Sequence, residues 1–153
     1  MHYLRTANTH PDFIALTQHL DNELSSRYGT LQKQYDGHNV IAPIETAIVG
    51  YVGDEPVACG CFKCLDEVQV EIKRMFVAPL FRRKGYSYAL LEALEAWAVS
   101  LGYAEAVLET GVGQPEAIAL YTKMGYTIIP NYGVYVGMKN SVCMHKMLRK
   151  TDG

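Results

Sequence analysis

The segment from residue 75 to residue 87, MFVAPLFRRKGYS, decides how the rest of the sequence is interpreted. An apolar, strand-like stretch ends at Pro79, the cations Arg82–Lys84 follow, and Gly85 opens a long helical pattern. The first turn of a helix carries unpaired backbone N–H groups and the positive end of the helix dipole, so it attracts anions. Glycine and the small Ser87 leave this backbone accessible, and the cations raise the local positive potential. The segment therefore indicates a pyrophosphate site, with a solvated basic turn as the alternative interpretation.

Hydrophobic periodicity on both sides of this segment predicts nine elements in the order αβββαβαββ, which is typical of an α/β layered domain with a mixed sheet. The first three strands are joined by short loops and are expected to form an antiparallel meander. The predicted helices span His10–Arg27, Gly85–Leu101 and the stretch from Pro115 to Gly125; the predicted strands span Thr46–Tyr51, Val57–Lys63, Val68–Val77, Ala104–Glu109, Tyr126–Ile129 and Val142–Met147.

Composition limits the class of protein. The 153 residues are 49% apolar and 20% charged with a formal net charge of −2, as in an ordinary globular chain. We interpret residues 1–153 as a single domain, since no linker or repeat is visible. The balanced charge argues against a dedicated binder of nucleic acid or of an anionic membrane. No run approaches the ~18 apolar residues of a membrane span, and the amino terminus lacks a signal-peptide apolar region, so we expect a cytoplasmic protein.

The four cysteines are expected to be small apolar core residues in a reducing compartment. The alternative is a zinc site built from Cys61, Cys64, Cys143 and His145. A structural zinc site prefers two tight ligand pairs with standard spacing, and Cys-x-His on a strand fits that pattern poorly. We therefore expect no metal.

A family resemblance extends the interpretation of the basic segment. Arg82-x-x-Gly85-x-Ser87 resembles the acyl-CoA-binding motif of the GNAT superfamily of N-acetyltransferases, usually Gln/Arg-x-x-Gly-x-Gly/Ala, with Ser as a mild departure at the last position. The residues Lys73–Val77 before it, and Val107–Thr110 and Ala117–Tyr126 after it, are similar to that family's neighbouring motifs in the correct order.

The resemblance implies a GNAT-type mixed, mainly antiparallel sheet flanked by helices, with splayed central strands and acetyl-CoA as the co-substrate. The pantetheine arm would pair with backbone groups of Phe76 and Val77 as an added strand does, and a backbone N–H near Phe76 would face the thioester oxygen. The remaining cofactor contacts implied by the motif come from Arg82, Arg83, Lys84, Gly85, Tyr86 and Ser87.

Acyl transfer to an amine requires a proton acceptor for the ammonium and a proton donor for the departing thiolate. Glu71 is the first candidate base, because several family members carry a catalytic glutamate at this position. The alternative is a paired surface charge, since Glu71 and Lys73 share a strand face. Glu109 is the second candidate base. Tyr121 lies where the family commonly places its general acid, and the alternative is a tyrosine packed between helix and sheet.

The acceptor is expected to bind outside the cofactor motif. Two Gly- and Tyr-containing segments, residues 35–39 and 131–138, offer sharp turns and rigid amphipathic walls. Asp36 or Glu45 could bind an ammonium group, although ordinary polar loops explain these segments equally well. The candidate substrate residues are Tyr35, His38, Glu109, Tyr132 and Tyr135.

The activity that we expect is transfer of an acetyl group to the primary amine of a small molecule. The alternatives are a protein lysine or N-terminal acetyltransferase and a non-catalytic acyl-CoA sensor. We expect no nucleic-acid or membrane partner, and the oligomeric state, a homodimer included, stays open.

Overall fold

The computed structural model describes residues 1–28 and 43–149. Its helices are α1 (Pro11–Tyr28), α2 (Tyr86–Ser100) and α3 (Pro115–Lys123). Its strands are β1 (His2–Thr6), β2 (Ala47–Val52), β3 (Glu55–Cys64), β4 (Gln69–Val77), β5 (Glu105–Gly111), β6 (Thr127–Ile129) and β7 (Ser141–Met147). Short 3-10 turns lie at Pro79–Phe81 and Gly133–Tyr135.

The strands form a seven-stranded sheet in the order β1-β2-β3-β4-β5-β7-β6. Strands β1 and β2, β2 and β3, β5 and β7, and β6 and β7 pair antiparallel, whereas β4 and β5 pair in parallel. The parallel register joins Gln69–Ile72 to Glu105–Leu108, and both strands continue beyond it. The predicted class, a mixed and mainly antiparallel sheet flanked by helices, is confirmed.

One strand was not predicted from the sequence. Strand β1 pairs with β2 from His2↔Tyr51 to Thr6↔Ala47 and forms one end of the sheet order. Four of its five side chains are exposed, so it has no apolar alternation of the kind that marks a half-buried strand. Its backbone pairing with β2 holds it in place, and that pairing leaves no local signal in the sequence.

The described residues fall into two compact groups. The first contains residues 1–61 and 74–90. Its interior forms where the apolar face of α1 meets β2 and β3, because these elements present alternating or helically spaced apolar residues to one another. The buried members of this cluster are Phe13, Leu16, Ala47, Val49, Cys59, Cys61 and Phe76.

The second group contains residues 62–73 and, as far as the structure describes them, residues 91–149. Phe62 packs edge-on against Trp97, with ring centres 5.7 Å apart. The strands β5 and β7 lie inside this group, and most of their buried positions are apolar, as expected for central strands, the exceptions being Thr110 and Ser141. Fully buried side chains of the group include Val70, Leu91, Leu94, Ala106, Leu108 and Met144.

Within the parts of the chain that the structure describes, none of the helices is both long enough and apolar enough to cross a membrane.

Candidate active site

The basic loop, residues 78–85, connects β4 to α2 within the first group. Arg83 and Gly85 adopt positive φ angles of 64° and 82°, with Lys84 between them. Left-handed residues in such alternation form the backbone concavities that bind anions. A Cβ atom added to Gly85 would meet nothing within 4 Å, so the backbone is open at this point. The glycine therefore has two roles, since it supplies a positive φ that other residues rarely adopt and it leaves space for a ligand.

The three cations of the loop have different environments. All three side chains are exposed. Arg82 nevertheless donates from Nε to the carbonyl oxygen of Val77 at 2.8 Å and from Nη2 to Oε2 of Glu23 at 2.6 Å. Its guanidinium carbon also lies 5.5 Å from the ring centre of Phe76. Arg82 thus contacts both the end of β4 and helix α1. The residues next to it in the sequence do not predict these contacts.

The strand end that was predicted to pair with pantetheine is largely buried. Phe76 and Val77 are each 6% exposed, and Phe76 belongs to the core of the first group. The Val77 carbonyl accepts the Arg82 bond already, although a carbonyl oxygen has a second lone pair. Tyr86 and Ser87, at the start of α2, are half-buried.

Glu71, a carboxylate of the second group, is only 4% exposed. The Tyr132 hydroxyl donates to its Oε2 at 2.5 Å. The ammonium groups of Lys63 and Lys73 lie 3.6 and 3.7 Å from its Oε1. Both of its oxygens therefore have partners among the described side chains. The expected Glu71–Lys73 pairing is present, but the pair is buried rather than on a solvated surface.

Glu109 belongs to the same group and has a contrasting environment. The Ser141 hydroxyl donates to its Oε2 at 2.8 Å, and among the described residues we find no hydrogen bond to its Oε1. Burial raises the pKa of Glu109 above its ordinary value of 4.5. The negative charge of Glu71 acts in the same direction, whereas the Ser141 hydrogen bond and the charge of Lys73 oppose the rise in pKa.

Tyr121 lies on α3 and is 7% exposed. Its carbonyl accepts the backbone N–H of Tyr126 at 2.9 Å, and the two rings meet edge-on at 5.7 Å. The Tyr126 hydroxyl in turn donates to Glu95 at 2.7 Å, which fixes the position of this ring pair. Burial, and secondarily the charge of Glu109, raise the pKa of Tyr121 well above its ordinary value. The phenol is therefore protonated throughout the physiological range, so its hydroxyl has a proton to donate.

The loop before β7 brings two of the predicted acceptor residues together. Tyr132 and the buried Tyr135 meet edge-on with ring centres 5.7 Å apart. Burial and the Glu71 charge raise the pKa of Tyr132 far above its ordinary value. The side-chain amide of Asn131 donates to the carbonyl oxygens of Tyr135 and Met138, at 3.1 and 3.0 Å, and closes the loop.

Other predicted residues are not part of these clusters. Tyr35, Asp36 and His38 lie outside the described residues. Glu45 is exposed in the first group. Conversely, Glu23, Lys63 and Ser141 were not predicted. They contact Arg82, Glu71 and Glu109 from positions 59, 8 and 32 residues away in the chain, so no local spacing could have indicated them.

Three of the four cysteines are fully buried, as expected: Cys59, Cys61 and Cys143. The expectation was wrong for Cys64, which is exposed at the end of β3 and donates to the Asp66 carbonyl at 3.2 Å. In the described ranges, no group of three or more His, Cys, Asp and Glu side chains is arranged to bind a metal ion.

Comparison with known proteins identifies the class that this fold and these clusters define. Residues 12–126 match the Acetyltransferase (GNAT) family. The chain therefore belongs to the GNAT family and is an N-acetyltransferase, as the motif succession from Lys73 to Tyr126 predicted.

Individual relatives agree with this assignment. The chain is 32% identical over 137 residues to an IAA acetyltransferase of Azospirillum brasilense, covering 88% of this chain and 90% of that protein. It is 32% identical over 114 residues to human N-acetyltransferase 8, covering 72% of this chain but 49%, about half, of that longer protein. A Klebsiella pneumoniae protein named as an acyl-CoA N-acyltransferase has a similar structure, with a TM-score of 0.79, 31% identity and 97% coverage of both chains. A GNAT acetyltransferase from Elizabethkingia anophelis with acetyl-CoA bound shares the fold at 20% identity, a TM-score of 0.59 and coverage of 78% and 82%.

Proposed function

We propose that this chain transfers the acetyl group of acetyl-CoA to the primary amine of a small molecule. The observation that carries the proposal is the cluster of the second group, in which a protonated buried tyrosine, Tyr121, accompanies two carboxylates in unlike environments. Burial raises the pKa of Glu109, and titratable groups perturbed in this way are typical of sites of acid–base chemistry.

Acetyl-CoA supplies a thioester, whose carbonyl carbon an amine can attack. The residues suited to hold its pyrophosphate are the exposed cations Arg83 and Lys84 and the backbone at Gly85, where left-handed turns and a helix amino terminus coincide. The backbone of Phe76 and Val77, at the end of β4, is the proposed partner of the pantetheine arm, as the family resemblance implies.

Glu109 is the base that the geometry favours. A general base must hold a pKa near the working pH and have an oxygen directed at the amine. Burial raises the pKa of Glu109, and one of its oxygens has no hydrogen-bond partner among the described residues. Glu71, the first candidate from the sequence, has its oxygens beside Tyr132 and two lysines. Glu71 then serves to orient Tyr132 and to raise the pKa of Glu109 by its charge.

Tyr121 is the proposed donor to the departing thiolate. A phenol whose pKa is raised keeps its proton more firmly than a thiol does, so Tyr121 stabilises the departing thiolate by donating a hydrogen bond to it. The amine proton leaves to Glu109, which then returns it to the thiolate, directly or through water, so that CoA departs as the thiol.

The small-molecule acceptor is supported by the burial of these groups. An amine must come within hydrogen-bond reach of its base, and Glu109 and Tyr132 are half-buried while Tyr135 is buried. A slender acceptor meets this requirement most easily.

The test is release of free CoA thiol from acetyl-CoA in the presence of a panel of primary amines, with lysine-containing and amino-terminal peptides in a parallel panel. The proposal predicts release with at least one small amine and a much lower rate with every peptide. Gly85→Glu is the matched control, because bulk and negative charge in the open turn should abolish cofactor binding. Release with peptides alone would establish the protein-modifying alternative, and tight CoA binding without release would establish the sensor.

A further inference from the structure

The first residue of the cofactor motif is held by helix α1. Arg82 contacts the Glu23 carboxylate of α1 at 2.6 Å, the Val77 carbonyl at 2.8 Å and the face of Phe76. The bond to Val77 closes a ring across the basic loop, because it joins the end of β4 to a residue five positions later. The position of the loop between these residues is therefore fixed by a side chain, and Glu23 fixes that side chain.

A second arginine of the first group, Arg74, also contacts α1 through its side chain. Arg74 has a positive φ of 60°, and its Nη2 donates to the Thr17 carbonyl at 3.0 Å and to Asp21 at 2.9 Å. Asp21 and Glu23 are thus the two acidic side chains of α1 that hold arginines from β4 and from the loop after it. Helix α1 lies outside the cofactor motif, yet both of these arginines are held by its acidic side chains.

The contacts of Arg82 are those of a positioning group and not of a phosphate ligand. Its charge is paired with Glu23, one N–H is committed to a carbonyl, and its guanidinium carbon lies over the Phe76 ring. Arg83 and Lys84, the next two residues, are exposed and carry the charge that an incoming anion would meet.

We propose that Glu23 is a positioning residue for the cofactor: it holds Arg82 against Val77 and Phe76, so that Arg82 shapes the basic loop while Arg83 and Lys84 meet the pyrophosphate. This inference rests on the proposed cofactor site and adds to it a residue from outside the motif. It also gives Arg82 a different role from Arg83 and Lys84, although the three are consecutive cations in the sequence.

The test is calorimetric measurement of CoA affinity for the full chain at low and at moderate ionic strength. Glu23→Gln should weaken CoA binding about 2- to 5-fold, the range expected from loss of a partly exposed charge pair. Arg82→Lys should weaken it at least as much, because lysine keeps the charge but lacks the planar donor fork. The double variant should bind no more weakly than the Arg82 variant alone, since both changes break the same contact. Glu67→Gln, which removes the same charge from an exposed turn, is the control.

Ionic strength separates positioning from direct contact, because salt screens exposed charges. Arg83→Gln should flatten the salt dependence of affinity, whereas Glu23→Gln and Arg82→Lys should leave its slope unchanged. Tighter CoA binding by Glu23→Gln, or wild-type affinity in Arg82→Lys, would overturn the inference and make Arg82 a direct phosphate ligand. If the wild-type chain binds no CoA, the cofactor site itself fails and this inference with it. If the wild type binds and Glu23→Gln matches it, only the inference fails.

Discussion

Replacement of Glu109 by glutamine tests the assignment of the base. The substitution preserves the shape of the side chain and its bond to Ser141, but it removes the proton acceptor. General base catalysis contributes roughly 10²- to 10⁴-fold, so kcat/KM should fall by that factor, which is about 3–5 kcal/mol of transition-state stabilisation. Because burial raises the pKa of Glu109, the wild-type rate should climb with pH from a point above 4.5, and the variant should lose this limb.

The neighbours of Glu109 determine in which direction the acid limb of the pH–rate profile should move when each of them is replaced. The charge of Glu71 raises the pKa of Glu109 and the charge of Lys73 lowers it. Glu71→Gln should therefore move the acid limb of the pH–rate profile to lower pH while keeping it. Lys73→Met should move the limb to higher pH, and so should Ser141→Ala, which removes a hydrogen bond to the ionised form.

The assay is kcat/KM from thiol release across the acid and neutral range, with an amine identified by the panel above. Circular dichroism of each variant serves as the folding control. The reasoning is refuted if Glu109→Gln keeps both the rate and the acid limb while Glu71→Gln loses both, because Glu71 would then be the base.

Three further predictions concern other groups. Tyr121→Phe should lower kcat by ~10²-fold or more with little change in acetyl-CoA affinity, and an unchanged kcat at saturating substrate would remove Tyr121 from the mechanism. Tyr51 donates to Asp12 at 2.6 Å, and burial together with this bond raises its pKa to about 12 from 10.0. Its contribution to stability should be present below pH 10 and lost as the pH rises toward 12, so Tyr51→Phe should lower the melting temperature at neutral pH and flatten this alkaline decline. Alkylation of the native protein, followed by mass spectrometry, should modify Cys64 and leave Cys59, Cys61 and Cys143 intact until denaturant is added. Burial shields these three thiols, and it also raises the pKa of Cys59. Equal labelling of all four cysteines would contradict the burial.

Local sequence patterns predicted most of the elements because those elements have apolar periodicity or breakers at their ends. Pro115 begins α3, and Gly125, with a φ of 98°, follows its end. Strand β1 was not predicted because it has no apolar face that the sequence would show. Backbone pairing with β2 holds it in place. Arg74 shows the same limit, since a positive φ at a non-glycine residue follows from its contacts with α1 and has no local signal.

The candidate site also contains some features that the local sequence predicts and others that it does not. The open backbone at Gly85 could be predicted from the sequence, since it depends on neighbours along the chain. The different surroundings of Glu71 and Glu109 could not, because they depend on Tyr132 and Ser141, which lie 61 and 32 residues away. The engagement of Arg82 by Glu23 likewise arises only when α1 and the loop fold together.

The most direct test of the account is the fate of isotope-labelled acetyl-CoA incubated with the protein and a whole-cell lysate, followed by mass spectrometry of the small-molecule and protein fractions. The account predicts label on the nitrogen of a small amine, dependent on the wild-type chain and absent with Gly85→Glu. Label confined to protein lysines or amino termini, or no transfer to any acceptor, would contradict it.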